Sequence, residues 1–329
     1  MHEHFISLDM GKRILYITAF MLLTAGMVSC DKKDDTSINN GTETPTTPAE
    51  PAIEEDPADF PTMGFDENGA SEALFSVSDS TKIRFARGNL QYQASTGTWR
   101  FAEHQYEYIG TDNERVSSTY EGWIDLFCWG TSGWNSGAVC YQPWSTSMNN
   151  NDYLLGGFAS NSLTGAYEQA DWGVYNAIEN GGNEAGMWRT LGRFEWSYLR
   201  SNGKCAPATI GGKYAGVVIL PDDWQTPEGL TYEHSNFSNI QVTNNYTFSE
   251  WQRMEAAGAI FMPAAGRRCY GTMIADIGKC GYFWTSNSYS CQGDTRAVFY
   301  YYRTIDQYPQ MAYGTRNQGF SVRLVMDQD

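Results

Sequence analysis

The chain carries no C-x-x-C pair, no G-x-x-x-x-G-K-[ST] loop, no G-x-S-x-G elbow, and no G-x-G-x-x-G between a strand and a helix. Those absences remove the zinc ribbon, the thioredoxin-like site, the hydrolase elbow and the nucleotide-binding loop. Basic residues are scarce: 22 Lys and Arg stand against 38 Asp and Glu, a net charge of −16. A phosphate backbone needs clustered cations, so nucleic acid is excluded as a partner. Charged residues are only 18% of the chain, whereas aromatics reach 15% and glycines number 33. That balance suits many short strands and tight turns better than long amphipathic helices.

What is present begins at the N-terminus. MGKRILYITAFMLLTAGMVSC has a basic start at Lys12 and Arg13, an apolar stretch from Ile14 to Val28, and Ser29 before Cys30. The apolar run is short for a spanning helix, so residues 1–30 read as a signal peptide, with translation starting at Met10. An uncleaved anchor with an incidental cysteine is the other reading. A single cysteine directly after the run resembles a bacterial lipobox. The resemblance implies acylation of Cys30 and anchoring of the mature chain by lipid.

Residues 31–73 are rich in Thr, Pro, Asp and Glu without an apolar period, which predicts a disordered tether. From Asp31 to Ala70 there are eleven acidic and two basic residues, so nine of the sixteen net negative charges belong to this segment. The DKKDD run after Cys30 resembles the export signal of Bacteroidota lipoproteins, which implies display on the outer membrane at the cell surface. The alternative is a linker kept soluble by charge. Six further cysteines follow: Cys128, Cys140, Cys205, Cys269, Cys280 and Cys291. They are compatible with several disulfide pairings, with Cys269–Cys280 the most plausible local one, or with buried free thiols.

From Leu74 the pattern becomes that of a folded domain. Ile83, Phe85, Leu90, Tyr92, Trp99 and Phe101 mark strands, with a turn at Ser95 to Gly97. Tyr120 to Trp144 holds four tryptophans among glycines and reads as a long loop with its own aromatic packing. Thr190 is placed to cap a helix carrying Glu195, Trp196 and Leu199, and Ser249 precedes a second short helix. Val217–Leu220 and Ile260–Met262 are strands that stop at prolines. Three or four strands close the chain. In the last, Phe320, Val322 and Leu324 alternate with Ser321 and Arg323, a half-buried pattern. The predicted class is α+β, β-rich, with two short helices and long loops.

RTLGRFEWSYL resembles an element of the formylglycine-generating-enzyme family. YFWTSNSYS followed by RNQGFSVRLV resembles the ending of the Fibrobacter succinogenes major paralogous domain. The resemblance covers roughly Met187 to Asp329, while Leu74 to Ala185 looks like the N-terminal part of related surface lipoproteins. It implies a C-type lectin-like fold over 74–329, with 74–186 as a β-rich N-terminal part. The enzymes of that group use a cysteine pair with copper, or three histidines with iron. Only His104 and His234 follow the expected leader, so a three-histidine site cannot be built, and no cysteine spacing carries over. No metal and no cofactor are expected.

Acid–base candidates are equally thin. Asp222 and Asp223 follow a strand but suit an ordinary turn. Asp125, Glu195 and Glu250 have no defined partner, and the run Asn149 to Asp152 is a weak calcium candidate. The aromatic run VFYYYR is more informative. In a strand, Val298, Tyr300 and Tyr302 share one face and Phe299, Tyr301 and Arg303 the other. Tyr, Ser, Asn and Arg are the residues of adaptable contact surfaces. The expected ligand-binding set is therefore Asn287, Tyr289, Asp294, Tyr300, Tyr302, Asp306, Tyr308 and Tyr313, with a tyrosine-lined polar core as the other reading. Some lectin-like proteins of the resembled type are diversified by retroelements, which implies that these positions vary around fixed strands. The expected function is a lipid-anchored, non-catalytic, adhesin-like protein for an extracellular glycan or protein ligand. An oxidase or other enzyme of the resembled group, or an appendage subunit, are the alternatives.

Overall fold

The computed structural model describes residues 56–201, 204–234, 244–291, 293–304 and 307–328; the side chains of Cys291, Asp294, Gln307 and Tyr308 fall outside the description. The signal peptide, Cys30, the tether up to residue 55 and Asp306 lie outside the described residues. Strands β1 (Phe75–Ser76), β2 (Lys82–Phe85), β3 (Leu90–Gln93), β4 (Thr98–Phe101) and β5 (Trp123–Ile124) come first. A loop-rich stretch leads to α1 (Trp172–Tyr175), β6 (Arg189–Thr190) and α2 (Arg193–Ser201). Then come β7 (Cys205–Ile210), β8 (Tyr214–Ile219), β9 (Asn244–Tyr246), α3 (Phe248–Ala256) and β10 (Ile260–Pro263). The chain closes with β11 (Arg267–Cys269), β12 (Met273–Ala275), β13 (Cys280–Cys291), β14 (Asp294–Arg303), β15 (Gln307–Thr315) and β16 (Leu324–Asp327).

Strand outweighs helix, 32% to 17%, and is spread over several small sheets. One sheet runs β1-β2-β16-β6, so the last strand lies between two early ones. A second runs β10-β8-β7-β9, antiparallel except where β7 meets β9. The third that matters here is the antiparallel meander β13-β14-β15. No helix among the described residues is long and apolar enough to cross a membrane.

The closing segment is buried more deeply than its alternation predicts. Ser321 and Arg323 are as buried as Phe320, Val322 and Leu324. Arg323 reaches the interior because the backbone receives it: its guanidinium donates to Ala86 O at 3.1 Å and Phe261 O at 2.8 Å, and to Asn89 Oδ1 at 3.1 Å. Arg316 is likewise buried, 4.4 Å over the Trp129 ring. The tryptophan-rich stretch is also core rather than a satellite loop. Trp129 is fully buried and donates from Nε1 to Thr285 O at 2.9 Å, while Trp284 donates to Phe127 O at 2.7 Å. Buried indole N–H groups need such acceptors.

Both helices form where expected, but Thr190 does not cap the first, and Ser249 lies inside the second rather than before it. Thr190 belongs to β6 and bonds Asp171. The start of α2 is satisfied by Glu195, which accepts from Gly192 N at 2.6 Å, and by Asn287, which accepts from Arg193 N at 2.7 Å. In α3 the cap is Thr247, closed into a capping box with Glu250.

The folded unit also starts earlier than residue 74. Within the compact unit Ile53–Asp329, residues 56–73 are held by specific bonds. Met63 N donates to Glu255 Oε2 at 2.8 Å, Arg84 pairs with Asp66 at 2.8 Å, and Ser71 N bonds Phe85 O at 2.8 Å. Asp66 accepts from Asn68 N and Ala70 N, a local turn that supplies order without an apolar period. Among the described cysteines, Cys128, Cys140, Cys205, Cys269 and Cys280 are free thiols, so Cys269 and Cys280 are not paired.

Candidate functional site

The expected binding residues do not form one cluster. Tyr300 and Tyr302 are core residues, 1% and 0% exposed. With Val298 they occupy the β14 face that α2 covers. The Trp196 ring stacks on Tyr300 at 4.5 Å, and the Tyr302 hydroxyl donates to Met262 O on β10. Gly281 lets the Tyr302 ring lie flat against β13, where a Cβ would meet it at 2.2 Å. Neither tyrosine can touch an external ligand, which corrects that part of the expected set. Asp294 and Tyr308 lie on β14 and β15, and Asp306 between those strands lies outside the described residues.

Three of the expected residues do reach the surface, at the other end of the same face. Tyr289 and Tyr313 pack ring to ring at 4.1 Å, and Tyr313 is 44% exposed. Cross-strand pairing sets Tyr289 opposite Arg296, and Tyr313 opposite Val298. The pleat therefore puts both rings on the Arg296 side. Asn287, two residues before Tyr289, ties this end of the meander to the first turn of α2.

That turn presents Phe194, which is 71% exposed, with the Arg193 guanidinium 4.4 Å from its ring centre. Beside it lies a cleft of about 420 Å³, with Leu163, Val174 and Phe194 as apolar walls and Ser286 and Asn287 as polar ones. Arg189 crosses the cleft wall and bonds Glu195 at 2.7 and 2.9 Å and Asp327 at 2.6 to 3.0 Å. Asp171 lines the cleft from below, accepting from Thr190 N, Thr190 Oγ1 and Gly173 N. Burial pushes its carboxyl up to about 6, against those hydrogen bonds, which pull it down. Arg189, Glu195 and Asn287 are each fixed by structural bonds, so these three side chains are held in place before any ligand arrives.

Apart from Asp223, which is exposed, the acid–base candidates have structural duties. Asp222 accepts from Ser76 N and Oγ and pairs with Lys82 at 3.0 Å and Lys204 at 3.2 Å. Asp125 is buried and bonded to Ile109 N and Asn113. Glu250 closes the α3 cap, and Asn149 and Asp152 close their own turn. His104 stacks on Tyr106 at 5.1 Å and shares a bond with Thr62. Among the described residues no group of three or more His, Cys, Asp or Glu could hold a metal ion.

Phe194 and the cleft were missed from the sequence, although a signal exists. On a helix, Phe194 stands about 200° from Trp196 and about 140° from Leu199, off the apolar stripe that those two define. A large apolar residue on a polar face is the informative exception. No family model matches the chain, and neither does any curated protein or solved structure.

Proposed function

We propose that the chain is a lipid-anchored surface protein of C-type lectin-like fold, held through Cys30. In this reading it binds an extracellular glycan with the face built from Phe194, Asn287, Tyr289 and Tyr313. The observation that carries the reading is the exposed Phe194 ring on the wall of a cleft in which Arg189, Glu195 and Asn287 are already fixed, with the exposed Tyr313 further along the β13–β15 meander. Flat aromatic rings take the apolar face of a sugar, while Ser286, Asn287 and Glu168 offer hydrogen bonds to its hydroxyls. The cleft is open and its charged pairs are internally satisfied, which suits recognition better than bond-breaking chemistry. RNQGFSVRLV supports the fold assignment only as a buried frame, through Arg316 and Arg323. If a retroelement varies this gene, the variation is confined to surface positions such as Asn287, Tyr289 and Tyr313 and spares Tyr300 and Tyr302. Calorimetric titration with glycans selected from a broad panel tests the proposal: Phe194→Ala should weaken binding at least tenfold (roughly 1.4 kcal/mol) with an unchanged melting temperature. Binding indifferent to Phe194→Ala would move the site elsewhere, and retention of a host protein in place of any glycan would change the ligand class.

A further inference from the structure

The opposite face of β14 carries a second recess that the proposed glycan face does not use. Tyr301 and Arg303 point away from Tyr300 and Tyr302, and at their end of the meander lies a cavity of about 540 Å³. Its aromatic wall is the Tyr282–Tyr301 pair, with rings 4.9 Å apart. Tyr301 is partly exposed, whereas Tyr282 is buried and anchored, its hydroxyl donating to Asp276 Oδ2 at 2.9 Å. Arg267 pairs with the same Asp276 oxygen at 2.9 Å and lies 5.5 Å from the Tyr282 ring, so that carboxylate is neutralised from within. Asp276 holds this place in a left-handed conformation (φ 65°), a backbone state that non-glycine residues rarely adopt. Lys279 and Arg303 are exposed on the rim. Lys279 O accepts from Thr304 N at 2.9 Å and from Thr304 Oγ1 at 3.2 Å, which pins the two rim segments together.

We propose that this recess binds a carboxylate-bearing sugar of the hexuronate class. The ring stacks on Tyr301, the carboxylate meets Lys279 and Arg303, and the hydroxyls bond to Asp276 and Thr304. Two rim cations beside an aromatic ring and hydrogen-bonding groups match a molecule that carries both an acid and hydroxyls. Burial and the neighbouring Cys280 hold the Tyr301 phenol up to about 12, so its O–H stays a donor at neutral pH. The site goes beyond the glycan face and does not depend on it, because Phe194 lies on the other side of the sheet.

The test titrates the full chain with glucuronate, glucose and benzoate, followed by ligand-observed NMR. Glucuronate should bind, and Tyr301→Ala and Lys279→Gln should each weaken it about tenfold while Phe194→Ala leaves it unchanged. Lys279→Gln alters only an exposed side chain, so its result stands even if Tyr301→Ala disturbs the hairpin. Equal binding of glucose overturns the role of the cations. Tighter binding of benzoate overturns the sugar class, and failure of glucuronate to bind, or binding indifferent to both recess variants, overturns the site.

Discussion

Consecutive tyrosines on β14 have opposite fates. Tyr300 and Tyr302 are sealed under Trp196 and Met262, while Tyr301 faces outward beside Arg303. The sequence contains the cue, since Arg303 shares a face with Tyr301 and a charged residue marks the wet side of a strand. Tyr300→Ala should therefore destabilise the domain by about 3–5 kcal/mol, as for other large buried rings, in chemical denaturation. A loss below about 1 kcal/mol would mean that Tyr300 is not core. Arg323 shows why alternation alone failed at the C-terminal end: its acceptors come from Ala86 and Phe261, far away in the sequence. The buried carboxyls supply a pH test. Burial raises Asp171 and Asp125 to about 6 and Glu255 to about 7. A raised carboxyl favours the fold when protonated, so this stability is present below the unfolded values and is lost as pH rises through about 6 and 7. Each shift corresponds to roughly 3 kcal/mol. Stability measured by denaturation should fall from about pH 4 to about pH 7 and level off above, and a rise over that window would contradict the burial of these groups. Asp222, lowered to about 2 by its bonds to Ser76, Lys82 and Lys204 despite burial, acts in the opposite sense only at lower pH.

Elements were more legible than their ends. The Ile83–Phe85, Leu90–Tyr92 and Trp99–Phe101 strands and both nine-residue helices follow from apolar spacing. The start of α2 did not, because one of its caps, Asn287, comes from a strand about ninety residues later. The cleft shares that cause, since its walls are drawn from residues 163–195 and 286–287, and no local pattern announces such an assembly. The β11–β12 hairpin carries an unforced strain. Tyr270 at its tip has φ 47° and is 79% exposed, so its left-handed conformation is offset by little packing. Replacing it with glycine should stabilise the domain by about 0.5–1 kcal/mol. Destabilisation in the same melting experiment would show that the exposed ring makes a contact worth keeping.

For the whole molecule, composition separated an acidic N-terminal segment from a β-rich domain but misjudged the border. Polar residues 56–73 lack an apolar period, yet Asp66, Ser71 and Met63 stitch them onto Arg84, Phe85 and Glu255. A chain beginning at residue 56 should melt like one that carries the tether. A chain beginning at residue 74 leaves the Glu255 carboxyl without its Met63 partner and should lose several kcal/mol, on the order of one buried bond network. Equal melting of the two would return residues 56–73 to the tether.

In the proposed function, the outward face of α2 and the β13–β15 meander, rather than the buried tyrosines, meets the ligand. The most direct measurement is a glycan-array comparison of the unmodified domain with Phe194→Ala/Tyr313→Ala, each checked for its melting temperature. The unmodified domain should give a defined glycan signal that disappears in the double variant while melting stays within about 2 °C. A signal that survives the loss of both exposed rings would contradict that reading.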